Sequence, residues 1–144
     1  MTVMDEARTP IGFWLRHLDQ LIETGLDEAL TAANVTRRQW QVLSLLRARP
    51  RDPAELLVEL RPFATIVEAH TVLDDLRDRG WIDDEADHCA ITADGVAVWS
   101  AAAEHAHEFR RATSDGITEE EYRTTLRVLR RMAGNIVERA VSPR

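Results

Sequence analysis

The sequence contains no lysine, and all 18 of its basic residues are arginines. Its single cysteine, Cys89, excludes an internal disulfide and agrees with a reducing compartment. No apolar run approaches the roughly 20 residues that a membrane span requires, and the segment from Met1 to Pro10 is too polar for a signal peptide. We therefore expect a cytoplasmic protein with no membrane partner.

The residue patterns typical of catalytic and metal sites are also missing. No Ser/His/Asp order, glycine-rich phosphate loop or paired-carboxylate cleft is present, which argues against an enzyme. His105 and His107 stand two residues apart on a predicted helix and point to different faces, so they form a poor metal pair. Acidic neighbours would raise the pKa of the Cys89 thiol, which favours a small buried core residue over a reactive group. We expect no metal and no cofactor.

The chain has the size of one domain, with 144 residues of which 44% are hydrophobic. Its net charge of −7 is distributed unevenly. Residues 36–79 contain eight arginines against seven acids, whereas residues 80–95 contain five acids and no base. Any nucleic-acid contact would therefore have to come from residues 36–79.

Residues 65–95 predict a helix followed by a small β ribbon. Five apolar residues recur at helical spacing and define a buried face: Ile66, Ala69, Val72, Leu73 and Leu76. The opposite face shows Val67, His70, Thr71, Asp74 and Asp78. Thr65 and Glu68 form a capping box, and Gly80 provides a left-handed stop, which predicts about fifteen helical residues. Two short strands then flank a predicted three-residue turn, Glu85-Ala86-Asp87.

Further helices are predicted on both sides of this stretch. Thr36 and Gln39 form a second capping box, and Asp52 followed by Pro53 starts a short helix. That short helix and the helix at Thr65 are separated by a tight turn, which predicts a helix-turn-helix pair. The fold class is therefore mainly α with a small two-stranded β-wing, a winged helix-turn-helix. We assign residues 1–144 to one domain, with dimerisation helices at 11–33 and 118–140, a winged core at 36–95 and a connecting helix at 93–113.

The first and last helices have wider apolar stripes than one small domain requires. The last helix repeats its apolar residues at alternating steps of four and three, a heptad-like seam. Either this seam packs on a second copy of the chain, or it folds onto the chain's own first helix. The residues predicted for a dimer interface are Ile11, Leu15, Leu18, Tyr122, Leu126, Leu129, Ala133 and Ile136.

Three segments, in order, give the chain a resemblance to the MarR family of bacterial transcriptional regulators. They are Thr36-Arg37-Arg38-Gln39-Trp40-Gln41-Val42-Leu43, Val72-Leu73-Asp74-Asp75-Leu76-Arg77-Asp78-Arg79-Gly80-Trp81-Ile82, and Ile91-Thr92-Ala93-Asp94-Gly95. The resemblance extends from Gly12 to Val137. It implies a homodimer that binds a pseudo-palindromic DNA operator and is often released by a small aromatic ligand. A repressor is the role that we expect.

The chain departs from that family at its helix and at its wing. The family commonly has basic residues where this chain has Thr71 and Asp75, and its longer wing usually has an Asp-x-Arg tip. A ribbon with five acids and no base should be repelled by a duplex, because phosphate neutralisation supplies most non-specific affinity. A winged-helix dimer that acts through protein partners, with weak or no DNA binding, therefore remains an alternative.

Two sets of functional residues are predicted on these grounds. The residues predicted to bind DNA are Arg37, Arg38, Arg51, Arg61, Thr65, Val67, His70 and Thr71. For each arginine, the alternative is a solvated surface charge with no DNA contact. The second set is predicted to bind a small aromatic effector, because the family packs the corresponding helices around a ligand crevice. For the tryptophans of this set, the alternative is packing in the core. The set comprises Trp14, His17, Leu18, Trp40 and Trp99.

Overall fold

The computed structural model describes residues 9–141, which form six α-helices and one two-stranded antiparallel sheet. In chain order the elements are α1 (Ile11–Thr31), α2 (Arg37–Ala48), α3 (Pro53–Leu60), α4 (Ile66–Asp78), β1 (Ile82–Glu85), β2 (His88–Ile91), α5 (Ala93–Thr113) and α6 (Glu119–Val141). The predicted mainly helical class with a two-stranded wing is confirmed. The chain divides into a first compact unit up to Phe109 and a second from Arg110. Among the described helices, none is long and apolar enough to cross a membrane.

The predicted starts of α2, α3 and α4 are confirmed by their side-chain caps, and α6 starts with a cap of the same kind. Asp52 accepts a hydrogen bond from the Ala54 N–H at 2.8 Å, with Pro53 as the first helical residue. Three capping boxes have both of their hydrogen bonds in place: Thr36 with Gln39, Thr65 with Glu68, and Thr118 with Glu121. Each cap satisfies amide groups that have no partner inside the helix, and so it fixes where the helix begins.

The main core of the first unit lies between α2, α3, α4 and the ribbon. Its fully buried members are Val42, Leu43, Leu46, Leu56, Leu60, Ala69, Leu73, Leu76, Ile82 and Cys89. The predicted buried face of α4 is wrong at Ile66, which is 66% exposed. This residue occupies the first helical position, and the core begins only one turn later, at Ala69.

Helix α4 is 13 residues long, slightly shorter than predicted. It ends in a left-handed turn at Gly80, whose φ of 75° costs a glycine little. The Gly80 N–H donates to the Arg77 carbonyl and the Trp81 N–H to the Leu76 carbonyl, both at 3.0 Å. These bonds satisfy carbonyls at the end of the helix and direct the chain into β1.

The ribbon is tighter than predicted. Glu85 pairs with His88 in the sheet, so the connection has two residues, Ala86 and Asp87, and the predicted three-residue turn is wrong. Both residues have positive φ, 46° and 68°. That conformation matches the right-handed twist of the two strands, as in two-residue type I′ hairpins, although Asn-Gly or Asp-Gly is the usual sequence there.

The ribbon is fastened to the rest of the first unit at two points. The Arg51 N–H donates to the Cys89 carbonyl at 3.0 Å, and the Cys89 N–H returns a bond to Arg51 at 2.7 Å. At the base of the ribbon, the Thr92 N–H donates to the Trp81 carbonyl at 2.9 Å. A Cβ on Gly95 would lie 2.1 Å from that same carbonyl oxygen, so only glycine lets α5 approach β1 this closely.

Candidate nucleic-acid interface

Helices α3 and α4 form the predicted helix-turn-helix, with residues 61–65 as the turn. All five residues predicted for the outer face of α4 are exposed: Val67, His70, Thr71, Asp74 and Asp78. The Thr71 hydroxyl donates to the Val67 carbonyl at 2.9 Å. Its oxygen keeps acceptor capacity that faces outward, so Thr71 can accept a hydrogen bond from a base edge.

The first turn of α4 exposes two aliphatic side chains and one carboxylate. Ile66 and Val67 are 66% and 70% exposed. Glu68, an acidic residue of that turn, is directed back to the Thr65 N–H, which donates to its Oε2 at 3.0 Å. The end of α4 that would meet base edges first therefore presents two aliphatic side chains and a single carboxylate, which is held at the helix cap.

Arg61 is the best placed of the four arginines predicted to contact DNA. Its side chain is exposed, and among the described residues it forms no ion pair and no side-chain hydrogen bond. It lines a cleft of about 240 Å³ between α3 and α4 together with Thr65 and Ile66. An arginine at the mouth of this cleft can reach a phosphate beside a groove that α4 enters.

Arg37 is half-buried and already paired with carboxylates of α1. Its guanidinium lies 2.8 Å from Glu23 and 3.1 Å from Asp27. Burial opposes the charged form, but the hydrogen bond to Glu23 and the charges of Asp27 and Glu23 outweigh it and raise the pKa of Arg37. A phosphate would have to compete with these two carboxylates.

Arg51 does not lie on the surface. Only 11% of its side chain is exposed, its guanidinium is ion-paired with Glu59, and its buried Nε has no hydrogen-bond partner among residues 9–141. The backbone bridge to Cys89 holds the residue in this position. We therefore leave Arg51 out of the DNA contact, because the fold directs its charge inward.

Arg38 is half-buried, with its guanidinium 5.4 Å above the centre of the Phe63 ring and donating to Gln41 Oε1 at 2.5 Å. Arg37, Arg38 and Arg51 together line a cavity of about 720 Å³, whose other lining residues are Glu23, Trp40, Gln41, Ser44, Leu45, Ala48 and Phe63. Three arginines that the sequence assigned to DNA therefore surround a single cavity.

The predicted effector residues are only partly gathered at this cavity. Trp40 lines it, and its Nε1 is buried without a partner. Trp99 packs against the main core and donates through Nε1 to Ser44 Oγ at 3.0 Å. Trp14, His17 and Leu18 lie on the exposed part of α1, where the Trp14 and His17 ring centres are 6.2 Å apart. The three tryptophans do not line this cavity together.

The C-terminal half of α4 is acidic, and its arginines are neutralised within the first unit. Arg77 lies 3.3 Å from Asp74 and 3.0 Å from Asp84, and Arg79 lies 3.3 Å from Asp75. On the ribbon, the exposed carboxylates of Asp83, Glu85 and Asp87 have no basic partner in the part of the chain that is described. This side of the winged helix would face a polyanion with unfavourable charge.

A polar cluster that the sequence did not reveal ties α4 to the corner between α1 and α2. The buried side chain of Gln39 donates to Asp75, and Arg79 donates to the Asn34 carbonyl at 3.2 Å while its guanidinium lies 4.8 Å above the Trp81 ring. The partners are 36 and 45 positions apart in the chain. Since Asp75 is engaged inward, it serves to orient α4 rather than to contact a base.

Among residues 9–141, no group of three or more His, Cys, Asp or Glu side chains is placed to hold a metal ion. No protein-family model and no curated protein matches the sequence. Solved structures match it by shape. A MarR family protein of Mycobacterium tuberculosis in complex with DNA is 22% identical with a TM-score of 0.69, over 86% of this chain and 98% of that chain.

Two further structures show the same likeness. The oxidized form of MarR from E. coli is 22% identical with a TM-score of 0.67, over 87% of this chain and 95% of that one. A putative MarR family transcriptional regulator from Clostridium acetobutylicum is 14% identical with a TM-score of 0.72, over 88% and 98% of the two chains. The chain therefore has the winged-helix fold of MarR-family regulators.

Proposed function

We propose that the protein is a DNA-binding transcriptional regulator of MarR type, a repressor that binds a pseudo-palindromic operator as a homodimer. The observation that supports this most is the outer face of α4, a capped second helix of a helix-turn-helix with its whole polar face exposed. In such pairs the second helix lies in the major groove, with its N-terminal residues on base edges. The solved structure with the same fold that includes DNA supports the same partner.

The contacts divide into base reading and phosphate binding. Val67, His70 and Thr71 are the base-reading residues, because they are exposed at the N-terminal half of α4. Thr65 and Arg61 are the phosphate contacts nearest to them, and Arg38 and Arg37 are secondary ones because both are partly engaged. Two copies of α4 on a two-fold axis would read half-sites about 10 base pairs apart.

Binding isotherms at low salt test this proposal, with the promoter region of the protein's own gene compared against random duplex. We expect the promoter to bind more tightly. Thr71→Ala should weaken promoter binding and leave random duplex nearly unchanged, because a base contact depends on sequence. Arg61→Ala should weaken both and reduce the magnitude of the log-log salt slope by roughly 1.8, about 0.9 for each subunit of the dimer.

Thr124→Ala is the matched control for Thr71→Ala, since Thr124 is an exposed threonine of α6. It should bind both duplexes like the unmodified protein. Equal affinity of the unmodified protein for promoter and random duplex, together with no effect of Thr71→Ala, would contradict the proposal.

The acidic ribbon favours a second candidate, a winged-helix dimer that acts through protein partners. Its exposed carboxylates Asp83, Glu85 and Asp87 would lie beside the flanking phosphates of any duplex bound by α4. Asp87→Arg separates the two candidates. For a DNA-binding protein it should raise affinity for every duplex and steepen the salt dependence, whereas a protein-binding dimer would gain only weak, sequence-independent binding.

The cavity around Trp40 supports a small aromatic anion as the effector. Arg38 supplies positive charge that no carboxylate of the described residues pairs with, and Trp40 and Phe63 supply aromatic surface, in a volume of about 720 Å³. Arg37 and Arg51 also line the cavity, but they are ion-paired with Glu23 and Glu59. Ligand pockets of this size are mostly apolar with a few polar groups that orient the ligand. A carboxylate could pair with a guanidinium there while its ring packs on the aromatic side chains.

Titration with a panel of monocyclic aromatic carboxylates tests the effector. We expect a change in tryptophan fluorescence that Trp40→Phe abolishes and Trp14→Phe leaves in place, because Trp40 lines the cavity and Trp14 lies on the exposed part of α1. A flat response across the panel, or a response that disappears with Trp14 instead, would show that this cavity is not the effector site.

A further inference from the structure

We propose that Ile66 and Val67 read the 5-methyl groups of thymines, so that each operator half-site has thymine where the first turn of α4 meets the base edges. This inference rests on the proposed function and specifies the DNA sequence that the site recognises. It adds Ile66, which the sequence pattern placed in the core.

The first observation is the exposure of two neighbouring aliphatic side chains. Ile66 and Val67 are 66% and 70% exposed at the first two positions of α4. Both residues lie outside the buried core, to which α4 contributes only from Ala69 onward. Adjacent exposed aliphatic residues on a binding face gain free energy only when a partner removes them from water.

The second observation is how these residues line up with the polar ones. Residues four apart are neighbours on a helix surface, so Ile66 lies next to His70 and Val67 lies next to Thr71. The exposed surface of α4 thus has two rows, Ile66 with His70 beside the cleft between α3 and α4, and Val67 with Thr71 on the outer face. Each row has an aliphatic residue in the first turn and a hydrogen-bonding residue in the second. In the major groove the thymine methyl is the apolar group that such a side chain can contact.

The third observation is the charge around the first turn. Glu68 is exposed and keeps its charge, and its carboxylate accepts the Thr65 N–H at the start of the helix. Arg61 lines the same cleft as Ile66 and forms no ion pair among the described residues, which places a cation for the backbone phosphate beside the apolar tip. Asp74 and Asp78 occupy the later turns. Base contact is therefore most favourable at the first turn, which has one carboxylate, whereas the later turns have three, those of Asp74, Asp75 and Asp78.

The test begins with selection of the preferred duplex from a randomised pool by the full-length protein. Within the selected half-site, thymines are then replaced one at a time by deoxyuridine, which removes only the 5-methyl group. We expect affinity to fall roughly fourfold at the one or two positions that α4 contacts, the value for one buried methyl-sized group. Positions outside the half-site should show no change.

Variants of the protein test which side chain contacts each methyl group. Ile66→Ala and Val67→Ala should each abolish the discrimination between thymine and deoxyuridine at one position. Val128→Ala, which shortens an exposed valine of α6, should keep it. Because all three side chains are exposed, their thermal unfolding should match that of the unmodified protein.

Two results would overturn the inference, and they differ in what they leave standing. If the pool yields a preferred duplex but every deoxyuridine version binds like the thymine one, the methyl reading is wrong and the regulator stands. If the pool yields no preferred duplex, the inference and the proposed DNA-binding function both fail.

Discussion

Cys89 shows how much the surroundings of one residue can determine its chemistry. Its side chain has no exposed surface, and both of its backbone groups are bonded to Arg51. Burial first, and the charge of Asp84 second, raise the pKa of the thiol. The interpretation of this residue as a small buried core residue is confirmed, and the raised pKa keeps its thiol protonated at neutral pH.

The free energy of unfolding at alkaline pH should reflect the raised pKa of the Cys89 thiol. The unfolded chain loses the thiol proton near its ordinary pKa of 9.0, whereas the folded chain retains it to higher pH. The free energy of unfolding should therefore be unaffected below that value and fall above it, by at most about 1.4 kcal/mol per pH unit for one group. Since the chain contains no lysine, no ammonium groups of side chains titrate in this range.

Urea unfolding between pH 8 and pH 10.5 measures the effect. Cys89→Ala should be less stable throughout because it leaves a small cavity, but it should lose less stability over this range than the unmodified protein. Parallel pH profiles for the two proteins would show that the thiol has the same pKa in the folded and unfolded chains.

At the scale of elements, the ribbon is short, and its turn is built from residues that do not favour its backbone. Ala86 has a φ of 46°, a left-handed conformation that costs a residue with a Cβ roughly 1–2 kcal/mol. Pairing of the two strands offsets this strain, because two-residue turns with positive φ match the twist of paired strands. The bridge from Arg51 to Cys89 and the close contact of Gly95 with Trp81 hold the ribbon at its base.

Ala86→Gly should therefore raise the free energy of unfolding by about 0.5–1 kcal/mol, as the relief of strain exceeds the added freedom of the unfolded chain. Ala90→Gly is the matched control. Ala90 pairs with Asp83 inside the ribbon, and the change there should lower stability by a similar amount. Urea denaturation midpoints measure both variants, and a loss of stability in Ala86→Gly would disprove the strain at the turn.

At the scale of the whole molecule, the exposed apolar surface is concentrated on the first and last helices. In α1 only Leu30 is buried, although Ile11, Leu15 and Leu18 are large and apolar. Helix α6, in the second unit, has no buried residue; Tyr122, Leu126 and Ile136 are exposed, as is Ala133, and Leu129 is half-buried. Exposed apolar stripes of this kind mark interaction sites, which supports the dimer as a proposal.

Sedimentation velocity at micromolar concentration should show a dimer. Replacing Leu126 and Leu129 together by Asp should give monomers, because the pair would bury unpaired charge at the interface and cost several kcal/mol. Thr124→Asp with Val128→Asp adds the same charge on the opposite face of α6 and should stay dimeric. A monomer for the unmodified protein would refute the dimer.

The sequence by itself determined the helical elements and their starts. The boxes at Thr36, Thr65 and Thr118 and the cap at Asp52 join groups only two or three positions apart, so their residues fix each helix start locally. The stop at Gly80 is local in the same way. The exposed face of α4 was also predicted correctly from helical spacing, except at Ile66. This residue is in the first turn of the helix, before the first residue of α4 that is buried in the core.

Only the tertiary structure decided which charged groups face outward. Arg51 and Arg61 are alike in sequence, yet Arg51 is buried against Glu59 and Arg61 is exposed. The bridge to Cys89 and the bond between Gln39 and Asp75 connect residues 38 and 36 positions apart. The spacing of apolar residues indicates which face of a helix or strand is buried, but not which distant residues pack against it. Those distant residues determine whether a charged side chain is buried and paired or exposed to a ligand.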